Sequence, residues 1–162
     1  MPATDPSGRT PYFAYGSNMD VQAMAARCPG ARPVARARLD GHAFRVNRNH
    51  HATILPAAGK VVYGLLWAIT DDDRRRLDDY EGVAINLYRR HDVTVTLDDG
   101  RAITALTYMA RNVEATLTSG PYFDAVLAAA RALALPPEYL DELEGWRAPE
   151  RWEPGNPGTR RG

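Results

Sequence analysis

The sequence predicts an α+β fold, a single compact domain with an antiparallel or mixed sheet. Three observations predict it. The chain has 162 residues, 44% of them hydrophobic, which suits one domain with a real core. Strand-like segments follow one another through its middle without intervening helices, unlike the alternation of a doubly wound parallel sheet. Two runs of alternating β-branched and polar residues flank Asp98-Asp99-Gly100, a strong hairpin signal.

The elements follow in order. Residues 1–9 are polar and expected to be disordered, and the domain is expected over 10–148. Thr10 to Tyr15 reads as a first strand, ended by Gly16-Ser17-Asn18. Asp20 to Arg27 reads as a short helix, with Val21, Met24 and Ala25 on one face and Cys28-Pro29-Gly30 as its stop. Val34 to Val46 alternates and is expected to form one or two strands with a turn at Asp40-Gly41. His51–Leu55 and Val61–Ile69 read as a strand pair joined through Pro56-Ala57-Ala58-Gly59. Thr70 is a good N-cap, and Asp71, Asp72 and Asp73 suit the first turn of the helix it opens. That helix runs to about Tyr80, where Gly82 can supply a left-handed end. The hairpin Leu87–Leu97 and Arg101–Ala110 comes next. A helix over Gly120 to Leu135 and a last one from Pro136-Pro137 to Trp146 complete the domain. Residues 149–162, rich in Pro and Gly, are expected to be a flexible tail.

Composition excludes several function classes. The formal charge is zero, against the basic excess of a general nucleic-acid binder. Cys28 is the one cysteine, so the fold needs no oxidising compartment. No apolar run approaches a membrane span, and the N-terminus lacks a signal-peptide core, so the expected location is cytoplasmic. The sequence carries no sign of an oligomeric state.

Two constellations can carry chemistry. In Tyr12-Phe13-Ala14-Tyr15-Gly16-Ser17-Asn18 a strand runs into a Gly-Ser turn. Such a turn leaves main-chain N–H groups of Gly16, Ser17 and Asn18 free to meet an anion, and glycine admits close approach. The plain alternative is a capped helix start, with Ser17 or Asn18 as the cap. In Leu77-Asp78-Asp79-Tyr80-Glu81-Gly82-Val83 a carboxylate ends a helix beside a glycine. The helix dipole disfavours it there by roughly 0.3–1 kcal/mol and raises its pKa, the direction a general base needs. The plain alternative is a solvated acidic helix end. Tyr63, Tyr88, Tyr108, Tyr122 and Tyr139 are candidates for the core or for polar contacts in a cavity. Cys28 has no histidine nearby and is a poor nucleophile. His50 and His51 would face opposite ways on a strand, and no metal-ligand spacing is present. Arg74-Arg75-Arg76 are expected on a solvated face.

Together these constellations resemble the gamma-glutamylcyclotransferase family. Tyr15-Gly16-Ser17-Asn18 is similar to its Tyr-Gly-Ser-Asn signature, and Glu81-Gly82-Val83 to the segment holding its catalytic glutamate. Ala52-Thr53-Ile54, Val62 to Trp67, Tyr88, Leu106 to Met109, Pro121-Tyr122 and Leu135 to Tyr139 continue the likeness over about residues 10–146. The resemblance implies a barrel-like sheet flanked by helices. It implies Glu81 as acid/base, and Tyr12, Phe13, Ala14, Tyr15, Gly16, Ser17, Asn18, Tyr108 and Tyr122 as the substrate-binding set. The implied substrate is a small gamma-glutamyl compound, closed to 5-oxoproline with no metal and no organic cofactor. Tyr80 departs from a glutamine seen in a relative. The reading from another class is a non-catalytic module that binds a small acidic ligand in the same pocket.

Overall fold

In the computed structural model, which describes residues 2–149, five strands close into a barrel in the order β1-β3-β2-β4-β5. The strands are β1 (Thr10–Ala14), β2 (Arg32–Val46), β3 (Ala52–Ile69), β4 (Tyr88–Leu97) and β5 (Ala102–Ala110). The helices are α1 (Val21–Arg27), α2 (Asp71–Tyr80), α3 (Pro121–Ala132) and α4 (Pro137–Glu144). Neighbouring strands run antiparallel except at the seam, where β1 meets β5 in parallel at Tyr12 and Leu106. The expected α+β class and barrel-like sheet are both present. Apart from Pro149, the expected tail over 149–162 lies outside the described residues.

The hairpin around Asp98-Asp99-Gly100 forms as expected, in unbroken register from Tyr88↔Ala110 to Thr96↔Ala102. Two other turn signals were misleading. Asp40-Gly41 does not reverse the chain. Gly41, at φ 72°, sits in a register shift within one long strand, β2. Pro56 to Gly59 does not join two paired strands either. Both halves of β3 pair with β2, Ala52–Pro56 on one side of the shift and Val61–Ala68 on the other. A bulge and a turn use the same residues, because both need backbone that leaves the regular pleat.

Phe13, Leu66, Trp67, Ile69, Leu77, Leu106, Phe123 and Leu127 are fully buried in the core. α1 is capped by Asp20, whose carboxylate accepts from the Gln22 and Ala23 N–H groups. Ser17–Met19 forms a separate 3-10 turn, so neither Ser17 nor Asn18 is the cap. Of the face expected for α1, only Met24 is buried; Val21 and Ala25 are exposed. α3 packs on the Ser17–Met19 turn and so carries Tyr122 toward the end of β1.

Candidate functional site

The strand β1 delivers Tyr12 and Tyr15 to one end of the barrel, and the chain then turns at Gly16. A Cβ at Gly16 would stand 3.3 Å from the Ala52 Cβ and 3.5 Å from the Tyr122 hydroxyl. Glycine is therefore what lets the turn lie against β3 and α3. Among the described residues, no hydrogen bond engages the Gly16 or Ser17 N–H groups. Asn18 is buried and fixed from three sides. Its amide donates to Tyr12 Oη at 3.0 Å, its carbonyl accepts from Trp67 Nε1 at 2.9 Å, and its side-chain oxygen accepts from Arg27.

The helix α2 delivers Glu81 to the same place. Thr70 and Asp73 form a reciprocal capping box at its start, and Leu77 anchors its buried face. Glu81 is the last turn's cap residue, and Gly82 follows at φ 65°, a left-handed conformation that glycine adopts without strain. The chain then folds back, so that a Cβ at Gly82 would lie 2.9 Å from the Leu87 side chain. α2 has no basic residue in its last turn, so nothing on the helix offsets a charge at Glu81.

Glu81, Gly16 and Ser17 line one cavity of about 170 Å³, together with Tyr12, Tyr15, Asn18, His51, Ala52, Tyr80, Leu87, Tyr88, Tyr108 and Tyr122. That volume is below the ~300–1,000 Å³ usual for drug-sized ligands, so the enclosed part suits a small metabolite group. The walls are held by hydrogen bonds. Tyr88 Oη donates to the Ala52 carbonyl at 2.6 Å, and the Ala52 N–H donates to Tyr122 Oη at 3.2 Å. Tyr108 Oη donates to Asp78 at 2.7 Å, and Tyr15 Oη donates to the Tyr108 carbonyl. The rings of Tyr12 and Tyr108 meet edge to face at 5.9 Å.

The electrostatics single out one group. Burial pushes the Glu81 carboxyl up to about 7, and the positive charge of Arg27 opposes that rise. No hydrogen bond from a described residue reaches the carboxylate. Burial also raises Tyr12, Tyr15, Tyr88 and Tyr108 well above the usual phenol range, and Tyr122 to about 12. The phenols therefore stay protonated at neutral pH, able to donate, and Glu81 alone among these groups is poised to exchange a proton there. Cys28 is buried, and its thiol is pushed up to about 11, chiefly by burial, which makes it inert.

Most of the expected binding set meets in this cavity: Tyr12, Tyr15, Gly16, Ser17, Asn18, Tyr108 and Tyr122 line it. Phe13 and Ala14 do not. Phe13 is fully buried in the core, and its carbonyl accepts from Thr107 Oγ1 at 2.9 Å. Ala14 lies against β3, where a Cβ at Gly64 would fall 2.1 Å from the Ala14 carbonyl oxygen. Sequence reasoning did not place Ala52, Leu87 or His51 at the site. His51 stands at the rim rather than on a strand, its ring 5.6 Å from that of Tyr122. No periodic signal marks these residues, since each reaches the cavity from the end of an element. Among the described residues, no cluster of three metal-ligating side chains exists.

Known proteins resemble this chain in sequence and in fold. The family described as "Gamma-glutamyl cyclotransferase, AIG2-like" matches residues 12–124. A Homo sapiens gamma-glutamylcyclotransferase is 30% identical over 143 residues, covering 82% of this chain and 76% of the relative. The Bos taurus gamma-glutamylcyclotransferase is 31% identical over 142 residues, with the same coverage. A solved gamma-glutamyl cyclotransferase superposes with a TM-score of 0.81 at 28% identity, covering 89% of this chain and 90% of the other. The chain belongs to the gamma-glutamyl cyclotransferase, AIG2-like family.

Proposed function

We propose that this chain converts a gamma-glutamyl amine or amino acid to 5-oxoproline and the free amine, with Glu81 moving the proton. The observation that carries the reading is the Glu81 carboxyl. It lines the same cavity as Gly16 and Ser17, has no protein hydrogen bond among the described residues, and is raised to about 7. Membership of the family, and about 30% identity to gamma-glutamylcyclotransferases over most of the chain, support an enzyme of that type. A module that only bound an acidic ligand would gain nothing from a carboxylate in its pocket.

A gamma-glutamyl compound carries its own nucleophile, so the site must hold the substrate curled with its α-amine near the γ-carbonyl. Ionised Glu81 takes a proton from the α-ammonium. The freed amine attacks the γ-carbonyl carbon, a C–N bond closes the five-membered ring, and negative charge develops on the oxygen. Collapse of that intermediate breaks the original C–N bond; protonated Glu81 gives its proton to the departing nitrogen, which leaves as the neutral amine. The ring nitrogen gives its second proton to the regenerated Glu81 carboxylate, which passes it to the freed amine or to solvent. The N–H groups of Gly16 and Ser17 are suited to hold either the substrate carboxylate or the developing oxyanion. An ordinary carboxyl near ~4.3 would take a proton from an α-amine near ~8 at a cost of about 5 kcal/mol. With Glu81 at about 7, the gap falls to about one unit, or roughly 1.4 kcal/mol. Burial thus removes most of the proton-transfer penalty.

The test is incubation with a panel of gamma-glutamyl amino acids, a gamma-glutamyl-lysine and gamma-glutamyl-protected amines, with mass detection of 5-oxoproline. Release from at least one of them supports the reading. Absence of 5-oxoproline across the panel refutes it.

A further inference from the structure

The two segments that build the site are tied together by a residue that does not line it. Arg27 ends α1 and is half-buried. Its guanidinium carbon lies 3.7 Å from the centre of the Tyr80 ring, a close cation–π stack. The same guanidinium donates to the Asn18 side-chain oxygen, and the Asn18 amide in turn donates to Tyr12. Tyr80 is 46% exposed at the mouth of the cavity and precedes Glu81. Its hydroxyl is 3.3 Å from Ser17 Oγ, so the stack and this hydrogen bond close one loop of contacts. The path runs from Tyr12 and Asn18, through Arg27, to Tyr80 and back to Ser17.

We propose that Arg27 is a positioning residue of this site, pinning Tyr80 to Asn18 so that the turn after β1 and the end of α2 stay in register, and holding a positive charge within reach of Glu81. A basic residue closing α1 also suits that helix's dipole, but this does not require the stack on Tyr80. The other titratable or charged groups near Glu81 are Tyr12 and Tyr15 on β1, His51 before β3, Asp78 and Tyr80 on α2, Tyr88 on β4, Tyr108 on β5 and Tyr122 on α3. The phenols of Tyr12, Tyr15, Tyr88, Tyr108 and Tyr122 are neutral near pH 7, and Asp78 is engaged by Tyr108, Arg74 and Arg90. Among the described residues, Arg27 is the cation that favours ionised Glu81. The inference rests on the cyclotransfer reading for its kinetic consequence but not for its electrostatic one.

The experiment separates the two. Glu81 is titrated by carbon NMR in the full chain with labelled glutamate, its signal assigned by its loss in Glu81→Gln. Arg27→Gln keeps a donor for Asn18 and removes the charge; its Glu81 midpoint should move up by about half a unit or more. Arg27→Lys keeps the charge but not the flat stacking face. Its midpoint should stay with the parent, while KM for a gamma-glutamyl substrate rises more than kcat falls. A midpoint in Arg27→Gln that matches the parent overturns the proposal, because a merely structural role would lower Tm and leave the midpoint in place. Should Arg27→Gln fail to fold, an unaltered KM in Arg27→Lys overturns it instead. A parent that releases no 5-oxoproline refutes the cyclotransfer reading, and the titration still decides the role of Arg27.

Discussion

The two ends of α2 each hold a carboxyl group, and the two are treated in opposite ways. Asp73, in the first turn, is 1% exposed and engaged through both oxygens: it accepts from the Thr70 N–H at 3.0 Å and the Gly30 N–H at 3.1 Å. The helix dipole favours a negative charge there. Glu81, at the other end, has no donor among the described residues, lies where the dipole disfavours it, and is raised to about 7. The first carboxyl spends its hydrogen-bonding capacity on joining α2 to the segment before β2. The second keeps that capacity for something outside the chain. A ten-residue helix and its C-cap thus carry one acid that ties the fold together and one that the described residues leave unengaged. What separates them is which main-chain groups each one faces.

The sharpest way to break this comparison is Glu81→Gln. It should lower 5-oxoproline release by about 10²- to 10⁴-fold, measured by mass spectrometry, with the circular dichroism spectrum retained. Near-normal turnover would remove Glu81 from the reaction. The same variant tests the other half of the contrast, stability. Glu81 titrates near 4.5 when its environment is ordinary and near 7 in the fold. Between those values the folded state holds the extra proton. Stability is therefore lost as pH rises from 4.5 to 7 and stays lost above that. The loss is roughly 3 kcal/mol, so Glu81→Gln should gain up to about that much over the parent in urea unfolding at pH 8 and nothing at pH 4. An equal difference at the two pH values would show that the carboxyl is not destabilised.

Asp73→Ala should do the reverse. Two part-buried N–H groups, one of them in the capping box, lose their acceptor, at a cost of about 2 kcal/mol, while turnover per folded molecule stays within about twofold. A specific loss of kcat would blur the division between the two ends. The smallest effect is expected of Tyr122→Phe. Removing that hydroxyl takes away the acceptor of the Ala52 N–H and should raise KM by about two- to tenfold, with little change in kcat. An unchanged KM would take Tyr122 out of the binding set.

Both ends of α2 were legible in the sequence because their signals are local. Thr70 with three following aspartates marks a start, and a glycine after Glu81 marks a stop. The hairpin around Gly100 was legible for the same reason. The continuous strands β2 and β3 were not, because Gly41 and Pro56 read as reversals until the partner strand is known. The face of α1 was right only at Met24 of its three residues, since a helix this short touches the core through little else. Arg74 was expected in solvent with its two neighbours, yet its side chain is only 23% exposed and is turned toward Asp78. The meeting of Gly16 with Glu81 could be anticipated through resemblance alone. Their proximity is set by barrel closure and by α3, neither of which leaves a mark in nearby sequence.

The parallel seam between Tyr12 and Leu106 has a consequence for the order in which the molecule is made. β1 leaves the ribosome first of the strands, but the partner for its open edge comes from β5, which leaves last. Until then that edge is bare, a template for mispairing with other nascent chains. Tyr12 and Tyr108 face each other across the same junction. Docking of that last strand therefore both covers the bare edge and brings together two of the tyrosines that line the cavity.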